Sequence, residues 1–261
     1  ANLGAAATGI TLAGGALRIA GTDYDSTARV ITLAEAGGTI ELADAGHTLT
    51  LAGANSLTGA GGLIKSGPGT LALTADNNFA GGTTLNAGGL AVGSNTALGS
   101  GQLTVSGPSR LTALNAVTLG NAIVLSDTLS LTGAQDVGLA GNITGAGGLI
   151  KQDGGTLTLT GTNAYTGGTQ VLNGSLVGNS AALQGDILNN GTVTFDQTTA
   201  GSYGGALTGT GALDKLGGGS LALTGTSTLS GATTIQAGTL WVEGNLTTAS
   251  TSVAPGATLG G

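Results

Sequence analysis

The chain has 261 residues, 53 of them glycine, with 7% charged and 2% aromatic side chains and a formal net charge of −7. Glycine without a Gly-X-Y period excludes collagen, and Leu, Val and Ile at every second position exclude disorder. So few aromatics argue against a membrane β-barrel with two aromatic girdles and against propeller blades with a Trp-Asp signature. The acidic balance and the lack of a basic cluster remove nucleic acid and anionic lipid as partners. Mean hydropathy is +0.33, yet no apolar run approaches the roughly eighteen residues of a membrane helix. Neither Cys nor Met occurs, so disulfides do not hold the fold, and the compartment is left open. Ala1 opens the chain without an initiator Met or a signal-peptide pattern, which reads as a trimmed or excised segment.

In chain order, residues 1 to 22 already alternate, Ile10, Leu12, Leu17 and Ile19 with small or polar residues, around Gly14-Gly15. Period two with glycine punctuation predicts short strands and tight turns. From Arg18 to His47 the texture changes: seven of the nineteen charges (Arg18, Asp23, Asp25, Arg29, Glu35, Glu41, Asp44) and the one histidine fall here. A unit then appears three times, at 59–93, 145–178 and 209–244. Its middle copy reads GAGGLIKQDGGTLTLTGTNAYTGGTQVLNGSLVG. Aligned on Lys65, Lys151 and Lys215 the copies are 86 and 64 residues apart, which divide by four and three into a common step of about 21 to 22 residues. The stretch 94–144 bridges the first two copies with about two and a half such steps. A polar excursion, Asp196 to Tyr203, is the candidate for a protruding loop in the C-terminal half, and the tail stops within the pattern.

Three or so short strands per step make one turn of a three-sided coil. In Gly155 to Thr160, Leu157 and Leu159 face one side and Thr156, Thr158 and Thr160 the other, and Leu71 and Leu73, Leu221 and Leu223 repeat this. One coil cannot bury such a face. Stacking coils about 4.8 Å apart does, pairs each strand with the coil above and below, and leaves edges only at the ends. The expectation is one parallel β-solenoid body over 1–261, all-β, of about twelve coils and roughly 55–60 Å, right-handed by the preference of parallel crossovers.

The pattern G-x-G-x-L-x-K-x-G-x-G-T-L-x-L-T-G-x-N-x-Y-x-G-G-T, met closely at 145–178, well at 59–93 with Phe79 in the Tyr place, and loosely at 209–244 with Leu229 there, resembles the passenger-associated transport repeat of bacterial autotransporters. The tail from Val253 to Gly261 resembles the segment ahead of an outer-membrane barrel. The resemblance implies a right-handed parallel β-helix exported by type V secretion and displayed at, or released from, the surface of a Gram-negative cell. It implies a covalently linked outer-membrane β-barrel translocator in the full-length protein. It further implies repeats that aid export and folding, with adhesion or virulence carried elsewhere. The expected partner is a host-cell or bacterial surface receptor, or a second copy.

Chemistry-bearing residues are sparse. His47 is the one possible imidazole base, and Asp23 with Asp25, or Glu41 with Asp44, could serve as acid and base on a glycan. Without aromatic platforms, a solvated face is the favoured reading. Asp23-x-Asp25 falls short of the six oxygens Ca²⁺ needs. The expectation is therefore no enzyme, no metal and no cofactor. The residues named for possible interaction are Arg18, Asp23, Tyr24, Asp25, Arg29, Glu41, Asp44, His47, Asp196 and Tyr203, and a glycan-binding or glycan-active surface over 18–47 is the alternative function. Lys65, Lys151 and Lys215 read as solvated or turn-bonding, and Asn77, Asn163 and Tyr165 as locks on a corner of the coil. Asn142, Asn173, Asn190 and Asn245 fit N-x-S/T, a motif expected by chance in so Thr-rich a chain. Regular Thr rows raise a match to an ordered lattice, ice or crystalline polysaccharide, though Ala72 and Ala222 interrupt them.

Overall fold

Strands outnumber every other element because the alternating Leu/Thr pattern can bury only one face, and each strand finds its partner one turn away. The computed structural model describes residues 8–21 and 23–261, which form short strands joined by turns and bends with no helix. Residues 1–7 and Thr22, part of the first alternating stretch and of the charged region, lie outside the described residues. All pairings are parallel, and the strands stack into a β-solenoid of about twelve turns with three columns.

Column two is an unbroken twelve-stranded sheet from Ser26–Thr27 to Asn245–Thr247. Column one is an eight-stranded sheet ending at Ala164–Tyr165. A four-stranded sheet from Gly201–Tyr203 to Thr258–Gly260 then takes its place in chain order. Column three has three strands up to Leu57–Thr58 and eight from Val117–Leu119 onward. Where a column lapses, 75–82 and 94–101 or 179–185 fill it without strand.

Register stacks like on like. Column two carries Leu49, Leu71, Leu90, Leu111 and Leu131 inward in one line, and column three carries Val137, Leu157, Leu176, Val193 and Leu213. The core runs without a break from Leu12 to Leu240. Each fully buried Leu contributes about 1.5–3 kcal/mol, so stacking, not any single turn, holds the fold.

The step differs from the expected 21 to 22 residues. Most partners from Leu63 onward are 20 apart, as in Leu63–Thr83, Thr83–Leu103, Leu103–Ile123 and Ile123–Ile143. Before that the turns are longer, up to 26 between Ile31 and Leu57. Separations of 86 and 64 are therefore not whole turns; each leaves a remainder of about one strand and corner. Lys65 consequently lies in column one beside Leu85, Lys151 in column two beside Leu131, and Lys215 in column three beside Phe195. Each copy of the unit is turned one column further than the last.

Candidate functional site

The lysines that mark the repeat sit inside the solenoid. Lys65 and Lys215 have 0% and Lys151 has 3% relative exposure, because each occupies an inward position whose stack neighbours are apolar. The stem lies in the stack, and the ammonium reaches the corner that follows. Lys65 Nζ donates to the carbonyls of Ser66 (2.9 Å), Gly67 (2.8 Å) and Ala87 (3.2 Å). Lys215 Nζ donates to Leu216 (2.6 Å), Gly217 (2.7 Å) and Ala237 (3.1 Å), and Lys151 Nζ to the Asp153 carbonyl. Tight corners point carbonyls inward that no strand can pair, and a three-donor group satisfies them. Burial pulls the Lys65 pKa down from 10.5 to about 8, with the Arg110 charge adding to it. Burial also lowers Lys151 and Lys215, against the opposing charges of Asp153 and Asp136 and of Asp196. Turn-bonding is the outcome, and solvation is not.

Asn77 replaces a missing strand. Its Oδ1 accepts from the Leu57 N–H at 2.9 Å and its Nδ2 donates to the Ala97 carbonyl at 2.9 Å, so one side chain stitches the turn before to the turn after. Asn163 does the same between Ile143 N–H (2.8 Å) and the Ala182 carbonyl (2.8 Å). In the third copy Ser227 stands there, and Leu207 N–H donates to its hydroxyl at 3.3 Å. Phe79 and Tyr165 are buried beside these stitches, and the Tyr165 hydroxyl shares a 2.6 Å bond with that of Thr169. Sequence reasoning missed the partners: Ala97-Leu98 and Ala182-Leu183 tuck into the core. The available signal was the Ala-Leu pair shortly after each of the first two units, in SNTALG and NSAALQG.

The charged N-terminal turns are not a uniform open surface. Arg18 Nε meets Glu41 Oε1 at 3.0 Å between register partners. Gly21 N–H donates to Asp44 Oδ2 at 2.6 Å. Arg29 is buried and bonds the Thr8 carbonyl at 2.6 Å. His47 is buried too: its Nε2 donates to the Tyr24 carbonyl at 2.8 Å and lies 3.7 Å from Asp25 Oδ1, while Nδ1 has no partner. Arg29 and His47 are therefore packing residues rather than loop contacts, because the longer turns fold their side chains inward. Asp23, Asp25 and Glu35 remain exposed, and Tyr24 half-covers the core edge.

Asp196 to Tyr203 does not protrude. Asp196 ends the strand Thr192–Asp196 and Tyr203 ends Gly201–Tyr203. Tyr203 is buried edge-on to Phe195, ring centroids 5.0 Å apart, and its hydroxyl donates to the Gly185 carbonyl at 2.6 Å. Burial and the charge of Asp186 raise its pKa. Asp196 alone of the two is exposed.

Among the described residues no group of three or more His, Asp or Glu could hold a metal ion, and no helix is long and apolar enough to cross a membrane. His47 has an exposed carboxylate nearby but no serine bonded to it, so the geometry assembles no triad. Outward threonines pair locally, as Thr112 with Thr132 at 2.6 Å, but the row on column three passes Thr118, Gly138, Thr158, Val177, Thr194 and Asp214. So broken a row offers no regular lattice match.

The family model described as passenger-associated-transport-repeat matches residues 63–92, 149–177 and 213–242. No curated protein and no solved structure matches the chain.

Proposed function

Starting from three passenger-associated transport repeats set in one parallel β-solenoid, an architecture consistent with an autotransporter passenger β-helix, we propose that this chain is a structural and presentation segment of a type V secreted surface protein. It carries no chemistry of its own, supports folding and export of the passenger, and holds outward features for attachment to a receptor on a host or bacterial surface, or to a second copy. The full-length protein joins it to an outer-membrane β-barrel and displays or releases it at the surface of a Gram-negative cell.

The observation that favours this reading is where the repeated polar residues go. Lys65, Lys151 and Lys215 occupy inward positions on three different columns, and Asn77 and Asn163 stitch turns together. A binding surface repeated for avidity would keep its residues outward and on one face. Residues that instead close corners, wherever the unit falls, build coils.

The test is deletion of 145–178 in the full-length protein, read by antibody access on intact cells and by cell attachment. Loss of both is expected. Display and attachment equal to the parent would sink the proposal.

A further inference from the structure

The chain has six Lys and Arg residues, and the contacts of five are described above. Arg18 pairs with Glu41, Arg29 bonds Thr8, and the three lysines close corners. Arg110 is the sixth, and its placement is specific.

Thr70, Gly89 and Arg110 stand side by side on the outer face of column two. In the second and third units Ser175 and Thr239 stand where the first has Gly89. The missing side chain makes a seat. A Cβ on Gly89 would lie 2.9 Å from Arg110 Nε and 3.1 Å from Cζ, so the guanidinium rests directly over the glycine. Its Nη2 donates to Thr70 Oγ1 at 2.6 Å, two turns away. One edge of the guanidinium is thereby fixed, which lowers the entropy lost on gripping a ligand with the rest.

Beside it lies an open cleft of about 490 Å³, lined by Thr128, Ser130 and Gln152 over Pro108 and Ile150. Asp127 and Asp153, next in sequence to the lining residues Thr128 and Gln152, keep their charge but each turns one oxygen to a backbone N–H: Asp127 Oδ1 accepts from Thr128 and Asp153 Oδ2 from Gly133, both at 2.7 Å. The cleft combines one preorganised cation, hydroxyl and amide groups that both donate and accept, and an apolar floor that makes up more of its exposed lining than the polar groups do. It has no deep pocket for an aromatic or aliphatic side chain. Those features match a polyol ring bearing a single anion.

We propose that this cleft binds a saccharide residue carrying one carboxylate or sulfate, with the anion on Arg110 and ring hydroxyls on Thr128, Ser130 and Gln152. The inference goes beyond a structural role and does not depend on export.

Isothermal titration of the full chain with glucuronic acid, N-acetylneuraminic acid, glucose 6-sulfate, glucose and sodium sulfate tests it. At least one acidic sugar should bind at least about tenfold more tightly than glucose or free sulfate, and Arg110→Gln should weaken that binding by about tenfold or more. Which acidic sugars respond separates carboxylate from sulfate recognition. Gly89→Ser keeps a residue type already present at the equivalent Ser175, displaces the guanidinium, and should weaken binding with an unchanged circular dichroism spectrum. Free sulfate binding as tightly as the sugars would overturn the saccharide assignment. No acidic sugar binding, or affinity unchanged in both variants, would overturn the site.

Discussion

The regular turns from Leu63 onward and the longer turns before them differ in how they use lysine and in how densely charge clusters. In the regular turns the lysines are inside, each closing a corner, and the turn length settles near 20 residues. In the N-terminal turns the charge clusters, partners are up to 26 residues apart, and Arg18 with Glu41 forms an exposed pair. There, bonds between neighbouring turns, such as Gly21 N–H to Asp44 Oδ2, serve the corners. Where a lysine sits inward in the short turns, its ammonium supplies donors to the corner carbonyls. Arg29 in the longer turns is nonetheless buried, and Arg110 in the regular turns faces outward, so the position within the stack, and not turn length alone, decides where a cation is structural.

The sharpest way to break this comparison is at a corner backbone. Gly145 has φ +109°, and a Cβ there would lie 2.1 Å from the Leu125 carbonyl oxygen. Gly145→Ala should cost more than about 4 kcal/mol in urea unfolding, since neither strand can move alone. Gly59, the matching position in the longer turns, has the same φ, and a Cβ there would lie 2.1 Å from the Leu33 carbonyl oxygen, so Gly59→Ala should cost as much. Gly46, at an open corner, has nothing within 4 Å and no such φ, and Gly46→Ala should change stability by less than about 0.5 kcal/mol. Equal effects at Gly145 and Gly46 would show that crowding at the corner backbone does not hold the turns together.

Next in size is Asn163→Ala. It strips the Ile143 N–H and the Ala182 carbonyl of their partners, for about 2–4 kcal/mol. Hydrogen exchange at the Ile143 amide should rise with it, whereas a simple packing loss would leave that amide protected.

Lys65→Met keeps the stem but leaves the Ser66, Gly67 and Ala87 carbonyls unpaired, and should cost about 1–3 kcal/mol at pH 7. The same residue predicts a pH slope. Its folded pKa of about 8 lies below the ordinary 10.5, so between these values the unfolded chain binds more protons than the folded one. Stability should rise as pH goes from about 8 to about 10.5, by on the order of 1–2 kcal/mol after solvent screening, and Lys65→Met should remove that rise. The smallest effect is expected for Arg18→Ala, under about 0.5 kcal/mol, because the Glu41 pair is exposed.

The Leu/Thr alternation makes the strands and their inward faces legible in the sequence, since period two admits only one side to the core. Leu157 and Leu159 are inward as read. The turn length was misread because 86 and 64 both divide near 21.5, and the remainder of one column is invisible without the register. Lysine burial was half legible: the repeated position signalled a corner, but a residue type so often exposed gives no sign that its stem replaces a leucine. Tyr203 and His47 looked like surface features because polar neighbours surround them in sequence, and only stacking shows which polar residues face a neighbouring turn. Arg110 was overlooked because its setting depends on Gly89 and Thr70, up to two turns away.

The one-column advance from copy to copy makes the molecule a spiral stair with landings on every side. From the first lysine to the second the axis climbs roughly 20 Å, at about 4.8 Å per turn, while the azimuth moves by a third of a circle. Three bulky binders directed at the three copies would each approach from a different compass direction and height. A flat receptor surface could engage only one copy at a time, which agrees with copies that build coils rather than multiply a binding face.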